Sequence, residues 1–106
     1  MSDARDWHCI AKVTDIAEGE VKPIELMGID IALYHVGGEW FCVGNICTHA
    51  YALLTDGYLD GYMIECPLHN GLFDIRTGKG QGAPIDEDLH VFPVKIDGDR
   101  VLVGLP

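Results

Sequence analysis

An all-β fold is what the sequence predicts, and three observations carry the prediction. Short strand-like runs separated by turn residues dominate the chain. No segment sustains a 3.6-residue apolar period long enough for a helix. Two of the turns sit at hairpin spacing and contain glycine, the residue a tight primed turn needs for its positive φ.

Taken in order, "CIAKV" (9–13) reads as the first strand and "VKPIEL" (21–26) as the second. Pro23 places that second strand at a sheet edge, because proline has no N–H to donate to a neighbour. "DIALYHV" (30–36) and "EWFCVG" (39–44) form a hairpin around Gly37-Gly38. Between residues 45 and 89 glycine, proline and histidine become frequent, and the strand runs "YMIEC" (62–66) and "LFDI" (72–75) are short. This stretch reads as an insertion carried by a β framework of about 1–44 and 90–106. A last hairpin joins "HVFPVKI" (90–96) to "RVLVGL" (100–105) around Asp97 and Gly98. Trp40, Phe41, Phe73 and Phe92 are expected in the core, with Cys9 and Cys42 as small buried apolar groups.

The 106 residues suffice for one domain with its own core. Apolar residues make up 48% of the chain, yet no apolar run approaches the roughly 18 residues of a membrane span, so no membrane association is expected. The opening "MSDARDWHCIAKV" has no cationic segment leading into an apolar one, which points to the cytoplasm. Seventeen acidic against seven basic residues give a formal charge of -10. That argues against nucleic acid as a partner and favours a protein with a basic face. In a reducing compartment the four cysteines favour metal ligation or burial over disulfides. "TGKGQGAP" (77–84) lacks the Gly-Lys-Ser/Thr ending and strand-to-helix setting of a phosphate-binding loop.

The chemistry-bearing residues fall in two places. "NICTHAYALL" (45–54) holds Cys47 and His49, and "IECPLHNGLFD" (64–74) holds Cys66 and His69, giving C-x-H, a sixteen-residue gap, then C-x2-H. Asp56-Gly57 and Asp60-Gly61 are the turns that would bring the two pairs together. A nucleophilic Cys/His site would leave one pair unexplained. Zinc accepts two thiolates and two imidazoles, but its paired ligands are usually spaced by roughly two to four residues. A 2Fe-2S cluster with cysteines on one iron and histidines on the other uses all four.

At "CTHA" (47–50) and "CPLHNG" (66–71) the chain resembles the Rieske iron-sulfur family, and the likeness extends over nearly its whole length. The resemblance implies a Rieske-type antiparallel β-sandwich framework with an inserted cluster-binding subdomain, carrying one [2Fe-2S] cluster. It assigns Cys47 and Cys66 to the buried iron, and His49 and His69 to the outer iron. Neutral imidazoles leave such a site less negative than an all-cysteine one, so an added electron is more easily accepted. Rieske potentials accordingly lie at roughly -150 to +300 mV, against about -400 mV for plant-type ferredoxins.

Departures from the respiratory branch narrow the resemblance. Tyr51 and Leu68 stand where respiratory members have a disulfide, and Gly71 and Phe73 where they have hydroxyl donors to sulfur. Fewer donors predict a potential below zero. The chain is thus most similar to the ferredoxins of bacterial aromatic-ring-hydroxylating dioxygenase systems, which serve aromatic hydrocarbon catabolism. That likeness implies a monomeric carrier, not an enzyme, moving single electrons from a flavin-dependent NADH:ferredoxin reductase to a terminal oxygenase. A small Rieske-type subunit of another reductase, such as assimilatory nitrite reductase, is the alternative; many of those lack the ligands that are complete here. "GQGAPI" (80–85) resembles the family's loop over the cluster, and "DED" (86–88) is an acidic turn suited to steering a partner. Tyr51 either shields the cluster or meets a partner, and His8, His35 and His90 are expected to be surface or packing residues.

Overall fold

The ends of the sequence build two antiparallel sheets and its middle builds a third. The computed structural model describes residues 6–47, 52–68, 71–81 and 87–105. β1 (Asp6–Lys12) is the first described strand, followed by β2 (Glu20–Leu26), β3 (Ile29–Val36) and β4 (Glu39–Gly44). A single 3₁₀ turn (Leu54–Asp56) precedes β5 (Tyr58–Asp60), β6 (Met63–Glu65), β7 (Leu72–Asp74) and β8 (Gly80–Gln81). β9 (Val91–Phe92), β10 (Val94–Asp97) and β11 (Arg100–Leu105) complete it. The sheet orders are β1-β11-β10, β2-β3-β4-β9 and β5-β6-β7-β8. Among the described residues no helix is long and apolar enough to cross a membrane.

β3 organises the layers. Its alternation sends Ile31 and Leu33 to one face and Ala32, Tyr34 and Val36 to the other, and all five are buried. The first face packs with Val101, Val103 and Leu105 of β11, together with Cys42 and Phe92, and forms the core between the two framework sheets. The second packs with Val43, Leu54, Ile64, Phe73, Ile75 and Leu89, under the third sheet. Cover on both sides explains why this strand reads as a continuous apolar run. Phe73 and Phe92 are core residues, whereas Trp40 and Phe41 pack half-buried at its margins.

Turn chemistry follows the sequence. Gly37 and Gly38 have φ of 65° and 74°, as a type I′ turn requires. Their N–H groups donate to the Glu18 carboxylate at 2.7 and 2.8 Å. These bonds, from Gly38 first and then Gly37, hold the Glu18 carboxyl below its usual range. The loop before β2 is thereby strapped to the hairpin, where His35 stacks on Trp40 at 4.0 Å and places Nδ1 2.9 Å from the Ile16 carbonyl. β2 lies at a sheet edge, as Pro23 indicates.

Two further expectations are corrected. "HVFPVKI" is not one strand: Val91–Phe92 pairs with β4, and Val94–Asp97 pairs with β11. Pro93 cannot donate, its carbonyl accepts the Gly104 N–H at 2.9 Å, and the chain changes sheets there. Cys9 is exposed rather than buried. It pairs with Leu102, which alternates away from the core-facing Val101 and Val103, and the register shifts before Ala11.

The contrast between these two thiols is measurable. Cys42 is 1% exposed and burial pushes its thiol up to about 12, whereas Cys9 is open to solvent. Brief alkylation of the native protein should therefore mark Cys9 and spare Cys42 on peptide mapping. Labelling of Cys42 at a comparable rate would contradict the placement.

Candidate metal centre

β4 runs straight into the first motif. Asn45, 1% exposed, receives the chain: its N–H donates to the Asp30 carbonyl at 3.0 Å and its carbonyl accepts from Leu54 N–H at 2.8 Å. Its side chain grips Thr55 twice, Nδ2 donating to Oγ1 at 3.1 Å and Oδ1 accepting the Thr55 N–H at 3.0 Å. Ile46 then bridges to Leu53, and the Cys47 N–H donates to the Ala52 carbonyl at 2.9 Å. The first loop thus leaves at Cys47 and closes at Ala52.

The second loop is built alike. β6 leads directly to Cys66, whose N–H donates to the Gly71 carbonyl at 2.8 Å before β7 returns. In both, a cysteine stands at the last paired position and the loop closes five residues later. Cys47 is 4% exposed and Cys66 0%, and both belong to the one apolar cluster beneath the third sheet. Leu68, two residues beyond Cys66, is 65% exposed, so the chain rises from buried thiol to surface within a few ångströms of backbone.

His49, His69 and Tyr51 lie outside the described residues, as do residues 82–86 of the glycine loop and acidic turn. The described beginning of that loop, Gly80–Gln81, is strand β8, and Gly80 N–H donates to the Asp88 carboxylate at 3.0 Å. Gly78, at φ 76°, has the Leu89 carbonyl and Val91 against the place a side chain would occupy. This close approach lets Leu89 N–H donate to the Gly78 carbonyl at 2.7 Å and brings the chain back across the third sheet. Residues 77–79 therefore belong to the turn between β7 and β8, and no helix follows among the described residues.

Two thiols in one dry cluster suit a metal group. A thiolate in apolar surroundings is costly unless a cation compensates it, and iron with bridging sulfide supplies both the charge and soft ligation. Phe73 fills its part of the cluster with hydrocarbon and offers no hydroxyl. Tyr34 is fully buried in the same cluster with no hydrogen-bond partner for its hydroxyl among the described residues, and burial raises its phenol well above the usual range. Sequence reading missed both Tyr34 and Asn45. Asn45 left one trace, a polar residue wedged between a strand and a motif.

Arg76 fastens the outer edge. It holds Asp74 through Nε–Oδ1 and Nη2–Oδ2 contacts of 3.0 and 2.9 Å and lies 4.3 Å over the Tyr62 ring. Tyr62 in turn meets Phe41 edge-on at 5.9 Å, which ties the third sheet to β4.

Comparison with known proteins agrees with this construction. The chain is 44% identical over 99 residues to the ferredoxin component of the naphthalene 1,2-dioxygenase system of Pseudomonas putida, covering 93% of this chain and 95% of that one. Among solved structures it matches the Sphingomonas yanoikuyae B1 ferredoxin at TM-score 0.89 and 37% identity, over 95% and 100% of the two chains. It also matches a chain in the complex of reduced oxygenase and oxidized ferredoxin in carbazole 1,9a-dioxygenase, at TM-score 0.87 and 33% identity over 92% of each. A nitrite reductase small subunit of Mycobacterium tuberculosis, at 20% identity and TM-score 0.86, shares the fold alone. The model of the Rieske [2Fe-2S] domain matches residues 6–93, and the chain belongs to that family.

Proposed function

We propose that this protein is a low-potential Rieske ferredoxin that passes single electrons from a flavin-containing NADH:ferredoxin reductase to the Rieske centre of a terminal aromatic-ring-hydroxylating dioxygenase. Cys47 and Cys66 hold one iron of its [2Fe-2S] cluster, and His49 and His69 hold the other. The observation that carries the reading is the pair of buried cysteines, each at the base of a matching loop and both in one apolar cluster. Bound there, the cluster accepts and releases one electron. The chain's own part is to seat it, keep water from its buried side and set its charge through two thiolates and two neutral imidazoles. It is a carrier and performs no substrate chemistry.

The side chains also set the potential. Glycine at 71 and phenylalanine at 73 present no O–H to sulfur, so the reduced, more negative state gains less support. Redox titration of the iron-loaded protein should give a midpoint below zero, with the paramagnetic resonance signature of mixed histidine and cysteine ligation after reduction. A midpoint well above zero, or a colourless zinc protein, would sink the assignment. Turnover assays with a reductase and a terminal oxygenase test the partners, and sedimentation tests the monomer. The -10 charge suits partners with basic docking faces in the cytoplasm.

A further inference from the structure

We infer that the tip of the β2–β3 hairpin, Met27 with Ile29, is a docking knob for the terminal oxygenase, seated in an apolar hollow rimmed by lysine or arginine. The inference rests on the carrier function proposed above. Three features of the tip work against the free fold, and a bound partner would bury the exposed side chains and offset the like charges.

The first is conformational. Leu26 pairs with Ile29, so Met27 and Gly28 are the two central residues of the turn, at φ 52° and 82°. Such a type I′ turn favours Asn, Asp or Gly at both positions. Gly28 meets that demand, but Met27 is the one non-glycine residue at positive φ among the described residues. The second is exposure: Met27 is 75% and Ile29 40% exposed, so the fold leaves most of Met27 and part of Ile29 uncovered. The third is charge. Glu25 stands directly opposite Asp30 across the strands, both exposed, where opposite charges would stabilise the pair.

The surroundings select the partner. At the tip itself the charged residues are Glu25 and Asp30, both carboxylates, in a chain of net charge -10. An apolar tip flanked by carboxylates complements an apolar hollow with a basic rim. The tip is also joined to the metal centre, since the Asp30 carbonyl accepts the N–H of Asn45, two residues before Cys47. A protein seated on the tip therefore sits at the end of the sheet from which the chain runs on to Cys47. A similar ferredoxin chain is known in complex with an oxygenase, which makes the electron acceptor the occupant.

The test is Met27→Asn, which suits the turn and removes the apolar side chain. The iron-loaded variant should melt at or above the wild-type temperature with unchanged midpoint potential. Its KM in oxygenase-coupled turnover should rise roughly 5-fold or more, the size of loss an apolar interface anchor gives. Ile29→Thr should act in the same direction, and Glu25→Gln should flatten the salt dependence of transfer. An unchanged KM in both Met27→Asn and Ile29→Thr, or a change confined to the reductase step, overturns the assignment. Wild-type protein that reduces no terminal oxygenase sinks the parent reading and this one together, and wild-type transfer with unaltered variants sinks this one alone.

Discussion

A Cys66→Ala chain should leave iron-replete expression colourless and without stoichiometric iron, while Cys9→Ser and Cys42→Ala chains remain coloured. Alanine keeps the N–H that donates to the Gly71 carbonyl, so the second loop retains its closing bond and loses only the thiolate. Loss of a ligand removes the binding free energy that the folded state gains from its metal group, and the melting midpoint should fall with the colour. Cys42→Ala is the necessary control. Cys42 is as deeply buried as Cys66, but it sits in the core between the framework sheets, away from the cluster that holds Cys47 and Cys66. Its truncation leaves a small void costing roughly 1 kcal/mol, felt as a lower melting point with full iron content. Cys47→Ala should behave as Cys66→Ala does. Iron analysis and the visible spectrum separate the outcomes: a fully loaded Cys66→Ala chain, or a colourless Cys42→Ala chain, would show that burial and not ligation distinguishes these cysteines.

What could be read from the sequence was local or patterned. Gly37-Gly38 and Gly98 announced their hairpins because a positive φ is a demand made within the turn itself, and each has it. The Cys/His spacing announced the metal group because ligand sets repeat with fixed chemistry. What escaped depended on partners far along the chain. Whether "HVFPVKI" stays in one sheet is decided by β4 and β11 competing for its two halves. Whether Cys9 faces in or out is decided by its register on Leu102. Asn45 acquires its role only when Thr55 and Asp30 arrive beside it. Strands as short as β5 and β8 carry too few residues for an alternating pattern to register. The two histidines remain legible in the motif spacing alone, since they lie outside the described residues.

Gly57→Ala is expected to damage the third-sheet region severely although its backbone is not left-handed. The sequence marks Asp56-Gly57 as a turn, where glycine is often kept for a positive φ. The backbone has a different reason: Gly57 sits at φ -92° and ψ -154°, extended geometry open to any residue. What excludes a side chain is position. A Cβ there would collide with the Glu65 carbonyl oxygen, with the Glu65 carbonyl carbon at 3.0 Å and the Leu54 carbonyl oxygen at 3.2 Å. All three neighbours are backbone, and Glu65 immediately precedes Cys66 and pairs with Tyr58 in the β5–β6 ladder. Relief of the collision must therefore push β6 and the second cysteine away from the 3₁₀ turn. Gly61 offers the comparison, with φ of 60° but open space where a Cβ would stand. Gly61→Ala should cost about 1–2 kcal/mol for the left-handed backbone alone. Gly57→Ala should cost about 3 kcal/mol or more, the upper range for forcing atoms into a packed site, and should lower iron content as well as the melting midpoint. If the Gly57→Ala protein melts no lower than Gly61→Ala and loads iron fully, then the contact with Glu65 is not what reserves position 57 for glycine.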